Sequence, residues 1–182
     1  AEHFGNWESS IEPWFDWDTG LYRSFYFGTD GVRDGVCANV ADHIRCVHIA
    51  LIAYDMTRDS RYLGLAEAHG LVWARTLASG RGITVALTPE RSVFDLADEA
   101  MRVYLSSVGE LPELGNDVDR AENLLASGAV EAFLRLWTLT GRQVFRSAAE
   151  ALMEPILSQL PDPDAGPASA AVRTYRRATG DC

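Results

Sequence analysis

The sequence predicts an all-α fold built of helical hairpins, and three observations carry that expectation. A helix–turn–helix stretch, Ala50 to Ala68 (ALIAYDMTRDSRYLGLAEA), recurs as Phe133 to Ala151 (FLRLWTLTGRQVFRSAAEA). With Thr57 set on Thr140, Tyr54 falls on Trp137, Tyr62 on Phe145, and Ala66, Glu67 and Ala68 on Ala149, Glu150 and Ala151. A fainter third copy starts at Ala171 (AVRTYRRATGD). Apolar residues also step by three and four, the mark of one buried helix face. The joints between these stretches are mostly short polar turns, which suit helical hairpins. Repeated hairpins imply a solenoid or a closed ring of hairpins.

Taken in order, residues 1–34 form an aromatic and acidic segment with Trp7, Trp14 and Trp17 among several aspartates and glutamates. Leu21 to Phe27 is short and aromatic enough for a strand, and Asp18, Thr19 and Gly20 read as a turn of a short hairpin. Residues 35–182 form the helical-hairpin domain. Val36, Val40, Ile44, Val47 and Leu51 place a helix over Gly35 to Met56. Asp59 or Ser60 caps a second, from Arg61 to about Ala78. Residues 80–89 break the pattern, with Ile83 to Leu87 as a strand or a buried loop. Helices follow over Ser92 to Ser107, Asp117 to Leu139, Gln143 to Leu160 and Ala168 to Ala178. The third of these six carries Val93, Leu96, Ala100 and Tyr104 on one stripe. The fourth has Gly128 at its middle, where small residues would admit a close neighbour. In the fifth, Pro155 is expected to kink or shorten the helix. The final two are joined by the stiff PDPDAGP of residues 161–167.

Composition excludes several chemistries. The net charge is −10, so nucleic acid is not an expected partner, because phosphate binding needs a basic face. All 16 basic residues are arginine, which removes a P-loop lysine, a Schiff-base lysine and a lysine general base. No apolar run reaches the length of a membrane span. Cys37, Cys46 and Cys182 include no CxxC pair. Cys37 and Cys46, set on one helix, would stand about 13 Å apart, too far for a disulfide. The four histidines have no metal-ligand spacing, so neither metal nor cofactor is expected. No signal peptide is visible, and the compartment, secreted or cytoplasmic, stays open.

The hairpin form resembles the repeat of (α/α) toroid proteins, the six-hairpin glycosidase-like superfamily. Leu51 to Glu67 and Leu134 to Glu150 carry the likeness. Asp119 to Gly141, continued by Ile156 to Tyr175, is similar to the late hairpins of the family that joins a thioredoxin-like domain to such a toroid. Phe15 to Ser24 (FDWDTGLYRS) resembles turns of unsaturated-glucuronyl hydrolases. The likeness spans residues 38–180, and its motifs specify helix packing rather than chemistry. It implies a partial (α/α) toroid, since a closed ring takes roughly twice as many helices. A half-ring that dimerises, a fragment and an open array all fit, and an open end with bare apolar faces favours self-association or a partner chain.

Two groups of residues are candidates for a site. Trp14, Trp17, Tyr22 and Tyr26 offer flat rings for sugar faces, Arg23 offers donors, and Asp16 and Asp18 could divide acid and base roles. The competing reading is a loop whose aromatics plug the end of a helical bundle. The second group is Asn39, His43 and Arg45, with Asn39 and His43 four apart on one helical face. Polysaccharide lyases on toroid folds use these residue types, which implies His43 as a base and Asn39 and Arg45 as substrate contacts. The competing reading pairs Asp42 with Arg45 and leaves His48 a satisfied core histidine. Residues 16–20 (DWDTG) also resemble the acid motif of class II terpene cyclases, without the repeats of that family. The expected function is a carbohydrate-active protein, a glycoside hydrolase or polysaccharide lyase, whose ligand is a carbohydrate or other small molecule. The alternative is a non-catalytic helical-repeat scaffold completed by a partner.

Overall fold

The computed structural model describes residues 15–16, 21–22, 38–79, 86–87, 121, 124–159, 162 and 168–180. The described residues are all-α in character, with five helices and four two-residue strands. The strands are β1 (Phe15–Asp16), β2 (Leu21–Tyr22), β3 (Ala38–Asn39) and β4 (Ala86–Leu87). The helices are α1 (Val40–Thr57), α2 (Ser60–Leu77), α3 (Ala129–Thr140), α4 (Gln143–Gln159) and α5 (Ser169–Thr179). Strands β1 and β2 pair antiparallel, Phe15 opposite Tyr22 and Asp16 opposite Leu21. Their short connection suits the expected hairpin, and the turn at residues 18–20 lies outside the described residues. Strands β3 and β4 also pair antiparallel, Ala38 opposite Leu87 and Asn39 opposite Ala86.

The repeat is a repeat of backbone chemistry. Thr57 Oγ1 donates to the Ala53 carbonyl at 2.7 Å, and Thr140 Oγ1 to the Leu136 carbonyl at 2.7 Å. The third copy has the same bond, from Thr179 Oγ1 to the Tyr175 carbonyl at 3.0 Å. Each threonine is followed by a residue in the left-handed region, Arg58 (φ 59°), Gly141 (φ 70°) and Gly180 (φ 80°). Their N–H groups donate to the carbonyls of Tyr54, Trp137 and Arg176 four residues back. This closes the helix ends by satisfying carbonyls that would otherwise lack a donor. The threonine hydroxyls of the first two copies then accept from the N–H two residues on, Asp59 at 3.2 Å and Arg142 at 3.3 Å. The next helix therefore starts in the same register in both hairpins.

The two hairpins differ at the cap. Asp59 Oδ1 accepts the Arg61 N–H at 3.0 Å and caps α2. The Arg61 guanidinium, which bonds Asp59 Oδ2, and then its backbone N–H hold the Asp59 carboxyl below the usual carboxylate range. At the matching place Arg142 instead pairs across to Glu67 of the first hairpin. The repeated aromatics each lie under a guanidinium, Tyr54 under Arg58 at 5.7 Å and Trp137 under Arg146 at 5.1 Å.

The hairpins stack side by side. Helix α2 packs on α4, and α1 meets α3, whereas no packed pair joins α1 to α4 among the described helices. An up-and-down four-helix ring would make α1 and α4 neighbours. Two links with the same sequence separation show that α1 and α3 run parallel: His48 to Gly128 and Asp55 to Arg135. Helix α5 continues the stack on α3 and α4. One core runs through all five helices and holds Trp73, Phe133, Phe145, Ile44, Leu51, Leu136 and Leu152. Burying each such large side chain contributes about 1.5–3 kcal/mol before entropy is counted.

Two expectations are corrected, and of the two outcomes expected at Pro155, a kink or an early end, the early end is removed. The first helix starts at Val40, not Gly35, because Ala38 and Asn39 are extended and paired with β4. The fourth predicted helix is interrupted at Ser127 and Gly128, where Gly128 (φ 77°) is left-handed and begins α3. Pro155 does not end α4, which runs on to Gln159 with Pro155 buried inside it. The helix predicted over residues 92–107 lies outside the described residues. Cys46 is buried in α1, and Cys37 and Cys182 lie outside the described residues. No described helix is long and apolar enough to cross a membrane.

Candidate functional site

The described residues place part of each candidate group. Asp16 is in β1 with Leu21 as its partner in register, and Tyr22 is in β2 opposite Phe15. Trp14, Trp17, Asp18, Arg23 and Tyr26 lie outside the described residues. Asn39 closes β3, His43 sits in the first turn of α1, and Arg45 follows on the exposed side of that helix. Asn39 and His43 therefore do not share a helical face, because the chain is extended at Asn39. They remain neighbours at one end of the stack, where strand passes into helix. No packed pair of described elements joins β1 or β2 to β3 or α1.

A polar seam between α1 and α3 was not anticipated as a site. It begins at His48, whose Nε2–H donates to the Gly128 carbonyl at 3.1 Å. That bond fixes the tautomer, since a carbonyl only accepts. His48 is thus the satisfied histidine that its apolar setting suggested. The approach is close because residue 128 has no side chain: a Cβ there would stand 2.6 Å from His48 Nε2. About one turn further along α3 lies Glu131, whose Oε2 is buried with no hydrogen-bond partner. It sits in the first turn of α3, where the helix dipole favours a negative charge. A turn beyond, Arg135 pairs with Asp55, and Arg58 stands 3.8 Å from the other Asp55 oxygen. Ile52 and Met56, the exposed large apolar residues among those described, lie on the same helix as Asp55, at 52% and 69% exposure.

Among the described residues the seam combines one buried carboxylate oxygen, one ion pair and two exposed apolar side chains. Among the described residues no group of three or more His, Cys, Asp or Glu could hold a metal. Among the described residues the titrating group displaced furthest is His69, pushed down to about 3 by burial. His69 is 2% exposed in α2, so it belongs to the core and not to a surface on which a substrate could react. Glu67 and Glu150, matched in the repeat, form ion pairs with Arg142 and Arg146.

Sequence reasoning missed Asp55, Glu131 and Arg135. The usable signal was the constant separation between the copies, which sets one outer strip of α1 beside the matching strip of α3. No family model matches the chain, and no curated protein and no solved structure matches it either.

Proposed function

We propose that the chain is an arc of an (α/α) toroid that binds a carbohydrate at the end of the stack where β3 enters α1. The observation that supports this reading most is the side-by-side stacking of parallel hairpins, with α1 beside α3 and α2 beside α4. That is the local arrangement from which a toroid is built, and it leaves helix N-termini, with Asn39 and His43, at one end. In this reading the ligand contacts are Trp14, Trp17, Tyr22, Tyr26 and Arg23, together with Asn39 and Arg45. In a hydrolase, Asp16 and Asp18 serve as acid and base; in a lyase, His43 removes the proton next to a neutralised uronate.

Titration of intrinsic tryptophan fluorescence with neutral and uronic oligosaccharides tests the reading. A saturable change that is lost in Trp14→Ala and Trp17→Ala is expected. A flat response across both sugar classes removes the carbohydrate assignment. The lyase version also requires new ultraviolet absorbance from an unsaturated uronide on a polysaccharide panel.

A second reading, a non-catalytic repeat scaffold that docks a partner chain, is favoured by the exposed Ile52 and Met56. Light scattering separates it from a free-standing monomer. A mass of one chain that holds at high concentration counts against self-association.

A further inference from the structure

We draw no further inference here: the strongest candidate, the exposed Ile52 and Met56 strip of α1 beside the buried Glu131 carboxylate oxygen and the Asp55–Arg135 ion pair, carries nothing because nothing in the structure shows what covers it.

Discussion

Gly128 and Gly141 make a controlled pair of single residues. Both are left-handed, at φ 77° and φ 70°, so an alanine at either meets a backbone cost of about 1–2 kcal/mol. Their surroundings differ. A Cβ at Gly141 meets nothing within 4 Å, while one at Gly128 would lie 2.6 Å from His48 Nε2 and 3.2 Å from His48 Cε1. Gly141→Ala should therefore lose only the backbone term. Gly128→Ala should lose at least about 1 kcal/mol more, through overpacking and the strained His48 hydrogen bond. In a His48→Ala background the penalty of Gly128→Ala should fall to that of Gly141→Ala. Urea unfolding of the four variants measures this. Equal midpoints for Gly128→Ala and Gly141→Ala in the native background would show that the close approach is absent.

At the scale of elements, Gly70 shows what holds the hairpins together. It is buried in α2, and a Cβ there would stand 2.9 Å from Leu136 Cδ1, 3.5 Å from Phe145 Cε1 and 3.7 Å from Val47 Cγ2. Those atoms belong to α3, α4 and α1, so one missing side chain lets four helices converge. Leu136 and Phe145 are fully buried and have little room to turn aside. Gly70→Val should cost about 1–3 kcal/mol, since overpacking outweighs the gain of a few tenths in helix propensity. Gly70→Ala should cost less, because removing glycine from a helix returns up to about 1 kcal/mol. A denaturation midpoint for Gly70→Val equal to that of the parent chain would mean that the helices separate easily at this point.

The same scale shows what the sequence made legible. Periodicity placed α2, α4 and α5 to within about two residues, because an apolar face at steps of three and four is a local signal. The start of α1 was misplaced, since the extension of Ala38 and Asn39 depends on pairing with Ala86 and Leu87, nearly fifty positions away in the chain. The break at Gly128 is not visible in the local pattern, where Ala126, Ser127, Gly128 and Ala129 read as small residues inside one helix. A Ser-Gly step is a turn signal, but it does not reveal that His48 fills the space left by the missing Cβ. The polar contacts fared likewise: Asp55 and Arg135 are ordinary surface residues until the stacking of α1 on α3 joins them in an ion pair.

For the whole molecule, one buried histidine links the core to pH. His69 is 2% exposed, and burial pushes its pKa down to about 3. In the unfolded chain the same ring titrates near 6.5. Between these two values the unfolded chain binds a proton that the folded chain does not, so acid favours unfolding. The contribution is constant above about pH 6.5, falls as the pH drops below it by up to about 1.4 kcal/mol per unit, and levels off near pH 3. Because one core runs through all five helices, this local loss should appear as lower stability of the whole array rather than of α2 alone. Carboxylates also titrate toward the acid end, so the comparison is with His69→Gln, which keeps hydrogen-bonding capacity and does not titrate in this range. The stability of the parent chain relative to His69→Gln should be flat from pH 8 to pH 7 and then decline steadily to pH 4. Urea midpoints at each pH, read by circular dichroism, give the curve. Two profiles that stay parallel from pH 7 to pH 4 would mean that His69 takes up its proton in the folded core as readily as in the unfolded chain.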